Sequence, residues 1–281
     1  MNSKTSDRSP ILFESHSHTP LCKHAVGDPG EYAEVAWKRG LKGLIVTCHC
    51  PMPDGYSAHV RMEPEQFEDY VQLVERASRT WQDKVEVLLG LESDYIPGAE
   101  GWLKALHARA DFHYILGSVH PQIHEYRAKY YTGDNVEYQR TYFTHLAQAA
   151  ETGLYDSLAH PDLVKNESPR DWNLQAMLPH IGKCLDRIAA TGVAMELNTS
   201  GDLKAIREMN PAPDILREIH RRGIPVVLGA DAHVPSRVAD RYEKALTLLQ
   251  KIGFETVSCF RNRKRYEIPI ERALKSLLPN Y

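Results

Sequence analysis

Ile11-Leu12-Phe13-Glu14-Ser15-His16-Ser17-His18, followed six residues later by His24, is the stretch on which the reading of the chain turns. A short apolar run ends abruptly in two histidines one residue apart. In an extended chain alternate side chains point the same way. His16 and His18 therefore project together from the end of a strand, as a pair of nitrogen ligands for a divalent metal.

The same pattern recurs along the chain. Short runs rich in Val, Ile and Leu lie at Ile11–Phe13, Gly43–Thr47, Val85–Leu91, Phe112–Gly117, Tyr155–Ala159, Val193–Leu197 and Pro225–Gly229, with a weaker eighth at Thr256–Phe260. Between them fall helix-length amphipathic stretches at Pro29–Arg39, Glu63–Trp81, Gly101–Ala110, Asn135–Thr152, Asn173–Thr191, Ala212–Arg222 and Arg237–Ile252. Asp28-Pro29 supplies an N-cap and a first-turn proline, and Gly40, Gly192, Gly223 and Gly253 stand where helices end. Buried strands alternating with helices predict βα units around a parallel sheet. Seven or eight units over this length predict an α/β fold closed into a TIM-like barrel in preference to an open sheet. The loop Pro51–Arg61, rich in Pro, Gly and Asp, follows a strand and is expected to cover the ligand-bearing rim.

Composition excludes several classes. The 281 residues are 42% apolar and 25% charged, with a net charge of −3, which argues against an electrostatic nucleic-acid or membrane binder. No apolar run approaches the ~20 residues of a membrane span. Residues 1–10 are polar, lack the apolar core of a secretory signal and read as a disordered tail, leaving 11–281 as one domain. Five cysteines, an odd number in a long chain, are not a disulfide framework, so a reducing cytoplasm is the simplest setting.

The strand ends carry the chemistry. Strand one gives His16 and His18, strand two His49, strand three Glu92, strand four His120, strand five His160, and strand seven Asp231 and His233. Strand six differs, with Glu196, Asn198 and Thr199. In a parallel barrel these ends share one rim. Seven of the fourteen histidines fall in these slots or in the loop just after strand one. Imidazole with carboxylate is the ligand set of Zn, Mn and Fe(II). Nine ligands exceed the roughly four to six of a single ion, so the site is expected to be multinuclear with a bridging carboxylate. Divalent ions a few ångströms apart polarise a bound water toward hydroxide and stabilise charge on a phosphoryl group, which suits phosphate ester hydrolysis. No Walker-type phosphate loop occurs.

The ordered set His16-x-His18-x5-His24, His49, Gly90-Leu91-Glu92, Gly117-Ser118-Val119-His120, Ala159-His160-Pro161-Asp162 and Gly229-Ala230-Asp231-Ala232-His233 resembles the polymerase and histidinol phosphatase (PHP) superfamily over nearly the whole chain. The resemblance implies a distorted (β/α)7 barrel with three divalent transition-metal ions (Zn, Mn or Fe). One ion would take His16, His18, Glu92 and Asp231. A second would take His120 and His160 with Glu92 bridging, and a third His24, His49 and His233. Within the superfamily the stretches His16–His24, Gly90–Gly98 and Glu196–Gly201 are closest to the histidinol-phosphate phosphatases. Two departures stand out: Cys48 where the family more often has an Asp before the histidine, and Pro121-Gln122-Ile123-His124 where that branch carries an aromatic and a Gly-Trp pair.

The implied activity is hydrolysis of L-histidinol phosphate by a metal-bound hydroxide, with a nucleotide or another small phosphate ester as the alternative substrate. Asp231 and His233 are the candidates for proton transfer to the leaving alkoxide. Lys204 and Arg207, after strand six, are the candidate phosphate cations. Arg237 is a third candidate, set against a surface charge, and Arg127 a weaker one. The run Arg261–Arg265 reads as a solvated basic segment, with phosphate recognition as its alternative. Cys48 and Cys50 are expected to be buried and structural, and Cys22 not to be a ligand. The partner is a small phosphate ester, with no nucleic acid or membrane expected and no indication of oligomeric state.

Overall fold

The computed structural model describes residues 9–277. Most of the expected N-terminal tail, Met1–Arg8, lies outside the described residues, as do Leu278–Tyr281. Seven parallel strands follow one another in chain order: β1 (Phe13–Glu14), β2 (Gly43–Val46), β3 (Glu86–Asp94), β4 (Tyr114–Ser118), β5 (Ser157–Leu158), β6 (Ala194–Asn198) and β7 (Val226–Gly229). A parallel bridge between Ser17 and Ala232 closes the ring. It is made by His18 N donating to Ala232 O at 2.9 Å and Ala232 N donating to His16 O at 3.0 Å. The expected seven-stranded barrel is thus formed, and its seam is built from the residues beside the first histidine pair.

The distortion has a structural cause. At its other end β7 pairs with β8 (Thr256–Arg261), which turns back antiparallel into β9 (Lys264–Pro269). This hairpin crosses the N-terminal end of the barrel. Phe260 stacks on Tyr114 with ring centroids 5.2 Å apart, Arg261 pairs with Glu86 at 3.2 Å, and Arg263 N donates to His113 O at 3.0 Å. The eighth run is therefore a genuine strand, and its partner β9 was not foreseen. The basic run 261–265 is the turn and flank of this hairpin, with Arg263 paired to Asp156 ahead of β5. Because it lies at the opposite end from the histidines, it is not a phosphate-recognition segment there.

Among the described residues, eight α-helices flank the strands: α1 (Pro29–Lys38), α2 (Phe67–Trp81), α3 (Glu100–His107), α4 (His124–Tyr130), α5 (Asn135–Glu151), α6 (Leu174–Thr191), α7 (Pro213–Arg221) and α8 (Tyr242–Ile252); α9 (Ile270–Ser276) follows β9. Asp28 caps α1 through a reciprocal capping box with Glu31, and Gly192 and Gly253 take left-handed φ values of 76° and 119° after α6 and α8. Helices α4 and α9 are short and gave little periodic signal.

One buried contact beside α4 makes a pH prediction. Tyr126 OH donates to His145 Nδ1 at 2.7 Å. Burial, aided by Lys129, pushes His145 down to about 4 from 6.5. The unfolded chain takes up this proton below about pH 6.5, whereas the folded chain does so only near 4. The stability contributed by neutral His145 is present above 6.5 and is lost as the pH falls through this window. In metal-free protein, denaturant midpoints should show a loss of about 3 kcal/mol between pH 6.5 and 4 that His145→Gln lacks. Parallel pH profiles for the two proteins would refute it.

Candidate metal centre

The C-terminal strand ends converge on one rim, and each ligand candidate is delivered by a local feature. His16 and His18 continue β1 on one face. Glu92 lies inside β3, which runs two residues beyond it to Asp94. His160 and Asp231 adopt positive φ values of 28° and 52°, so the chain turns immediately after β5 and β7 and aims both side chains inward.

Glu92 is the hub. Its Oε2 lies 2.7 Å from His49 Nδ1, 3.5 Å from His16 Nε2 and 3.7 Å from His18 Nε2. Its Oε1 lies 3.2 Å from His160 Nε2 and 3.3 Å from His120 Nε2. One carboxylate thus presents an oxygen to each of two histidine groups. Asp231 Oδ1 faces His18 Nε2 at 3.2 Å, His233 Nδ1 at 3.4 Å and His16 Nε2 at 3.5 Å. At the mouth, His24 Nε2 and His233 Nε2 stand 2.9 Å apart. Ligand atoms of His16, His18 and Asp231 lie within 4.8 Å of one another, as do those of His24, His49 and His233.

These residues fit metal ions. His16 Nε2, His18 Nε2 and Glu92 Oε2 are buried, face one another and make no hydrogen bond. Buried polar atoms without partners cost free energy, and a divalent cation satisfies all of them together. The charge states of the two carboxylates, His49 and His233 agree, whereas the carboxylates beside His16, His18 and His120 outweigh burial and raise those three above the ordinary 6.5. Burial opposes ionisation of Glu92 and Asp231, but the surrounding imidazoles outweigh it and hold both well below the usual carboxylate range. Burial pushes His49 and His233 down to about 4 and about 3, leaving neutral nitrogens with free lone pairs.

Outer partners fix the ligands. His16 Nδ1 bonds Glu196 Oε1 at 2.7 Å, which turns Nε2 toward Glu92 and Asp231. Glu196 Oε2 accepts from His160 N at 2.8 Å. His120 Nδ1 lies 3.1 Å from Asp94 Oδ2. Ser200 Oγ donates to Asp231 Oδ2 at 3.1 Å. The roles of Glu196, Asp94 and Ser200 were missed in the sequence. Glu196 lies inside β6 as Glu92 lies inside β3, and Asp94 follows Glu92 by two residues on the same face; this period-two signal was there to be read.

The rim encloses a cavity of about 430 Å³ lined by His24, His49, His120, His160, Asp231 and His233, with Lys204, His59, Arg61, Gln122, Ile123 and Leu163 completing it. His16, His18 and Glu92 lie buried beneath these residues. Lys204 Nζ has no partner among the described residues, so it presents a free cation to the cavity. Arg207 does not reach it. It is exposed and lines a separate groove with Glu208 and Lys251, because the turn after β6 carries the chain outward there. Arg237 is likewise absent from the cavity wall and pairs with Asp240 at 3.3 Å. Arg127 stacks on Tyr131 at 4.2 Å. Cys48 and Cys50 are buried as expected, Cys48 taking hydrogen bonds from Thr19 N and Oγ1. Cys22 is closer to the site than expected, with Sγ within 4.8 Å of ring nitrogens of His18 and His233.

Comparison with known proteins gives a consistent picture. A probable histidinol-phosphatase of Deinococcus radiodurans is 39% identical over 259 residues, covering 90% of this chain and 98% of that protein. The histidinol-phosphatase of Bacillus subtilis is 25% identical, covering 83% and 97% of the two chains. The crystal structure of histidinol phosphate phosphatase from Lactococcus lactis, complexed with zinc, L-histidinol and phosphate, superposes with a TM-score of 0.77 at 21% identity, over 91% of this chain and 98% of that one. The model of the PHP domain family matches residues 14–200, and the chain belongs to that family.

Proposed function

We infer that this chain is a metal-dependent phosphomonoesterase that hydrolyses L-histidinol phosphate to L-histidinol and phosphate, a step of histidine biosynthesis, with residues 11–281 acting as one unit. The carrying observation is the rim itself. Glu92 offers one oxygen to His16, His18 and His49 and the other to His120 and His160, beneath a cavity with one unpaired lysine. The 39% identity to a probable histidinol-phosphatase over 90% of the chain supports the substrate. Five free, buried cysteines suit a cytoplasmic setting.

Three ions fit the donor sets: His16, His18, Glu92 and Asp231; Glu92, His120 and His160; and His24, His49 and His233. Zn, Mn and Fe(II) all accept such ligands. When bound, these ions supply an activated water and positive charge for the phosphoryl oxygens. The chain does the rest. Lys204 is the cation that meets the phosphate. Asp231, held as a carboxylate, is placed to take a proton from the attacking water and return it to the leaving alkoxide, with His233 beside it. Gln122 and Ile123 shape the wall from the loop after His120, so that loop is where discrimination among esters is to be sought.

The direct test is phosphate release from L-histidinol phosphate by protein loaded with zinc or manganese, and its loss on chelation. Turnover of nucleotides or other esters but not of this one would overturn the substrate and leave the reaction class. Lys204→Met should lower kcat/KM about 30-fold, mainly through KM, since a charge-assisted hydrogen bond contributes about 2 kcal/mol. Its metal content should be unchanged. An unaltered KM would remove Lys204 from the phosphate site.

A further inference from the structure

Arg61 ends the long loop after β2, yet it is only 2% exposed. Burying a guanidinium is costly unless its donors are met. Here all three nitrogens are engaged. Nε donates to Ser57 Oγ at 2.6 Å, Nη1 to Cys50 O at 2.8 Å and Nη2 to Asp94 Oδ2 at 2.8 Å. Arg61 forms part of the cavity wall, and each of its three nitrogens is already anchored within the protein.

What it does hold is Asp94. That carboxylate is 1% exposed and sits between Arg61 on one side and His120 Nδ1 at 3.1 Å on the other, with Ser118 Oγ donating to its second oxygen at 3.2 Å. The opposite nitrogen of His120 faces Glu92 Oε1 at 3.3 Å, beside His160. Arg61, Asp94, His120 and Glu92 therefore lie in succession from loop to metal centre, each within 3.3 Å of the next. The loop is tied at a second point, where Ser57 N donates to Glu125 Oε1 at 3.1 Å on α4.

We propose that Arg61 is a positioning residue which, by fixing Asp94, orients His120 as a ligand, so that the docked loop 51–61 helps retain the ion held by His120, His160 and Glu92. This rests on the metal-centre reading above and adds to it. Asp94 selects the His120 tautomer that leaves Nε2 free as a ligand, and Arg61 keeps Asp94 from turning away. Outer partners of this kind typically govern metal affinity by 10–100-fold.

The test uses the full chain, with zinc as the probe. Metal per chain is measured after dialysis against a graded chelator, and kcat and KM are measured separately. Arg61→Gln should weaken one class of bound ion by about 10–100-fold and lower kcat with KM changed less than about threefold; excess zinc should restore kcat. Asp94→Asn should do the same. Adding Arg61→Gln to Asp94→Asn should change zinc affinity less than twofold, because the link through Asp94 is already cut. Arg61→Lys, which keeps charge but not the fork, should recover only part of the affinity. If Arg61→Gln fails to fold, Asp94→Asn and Ser57→Ala carry the test, each predicted to weaken the same ion. Zinc retention equal to the parent in Arg61→Gln, or in both substitutes, overturns the proposal alone. Absence of bound zinc in the parent protein overturns the metal-centre reading and the proposal with it.

Discussion

Replacing Glu92 by glutamine is expected to abolish phosphatase activity, lowering kcat/KM by about 10³-fold or more, and to release at least one equivalent of metal. The expectation follows from position. Five imidazole nitrogens lie within 3.7 Å of this one carboxylate, divided between its two oxygens. A glutamine keeps the shape but presents an amide nitrogen to one set, where a donor meets either an ion or another donor. It also removes the negative charge that balances a cluster of cations, a loss of several kcal/mol of transition-state stabilisation in a water-poor site. Circular dichroism and thermal unfolding should remain near the parent's, because the backbone of β3 is untouched. Glutamine at 92 with parental activity and metal content would mean that the histidines converge for some other reason.

The second large effect comes from a residue with no side chain. A Cβ placed on Gly229 would lie 1.9 Å from Glu196 Oε1 and 2.7 Å from His16 Cβ. Gly229→Ala must therefore push Glu196 off His16 or part β6 from β7, the strand that borders the seam where the barrel closes. We expect a loss of about 3 kcal/mol in stability and metal affinity reduced at least 10-fold. Gly101→Ala is the matched control. Its Cβ meets nothing within 4 Å, and in α3 the change should be neutral or slightly stabilising. Equal melting temperatures and metal content for the two variants would show that β7 has slack the packing does not suggest.

The barrel and its ligand rim were legible because both follow from short-range periodicity. A parallel strand buried on both faces is a run of Val, Ile and Leu, and its end is where that run gives way to His, Glu or Asp. The weaker parts are those where the deciding contact is remote in sequence. Arg207 and Lys204 are three residues apart and chemically alike on paper, yet the turn after β6 sends one into the cavity and the other into an outer groove. Arg61 carries no local mark of burial, since its partner Asp94 lies 33 residues on. Strand β9 alternates poorly because it is an exposed edge, and the charged residues of the turn before it read as a solvated segment until the floor of the barrel supplied Glu86 and Asp156 as partners for Arg261 and Arg263.

That floor has a bearing on traffic. With the β8–β9 hairpin drawn across one end and Phe260 stacked on Tyr114 beneath the strands, the molecule is a cup and not a pipe. Whatever enters must back out through the opening it came in by.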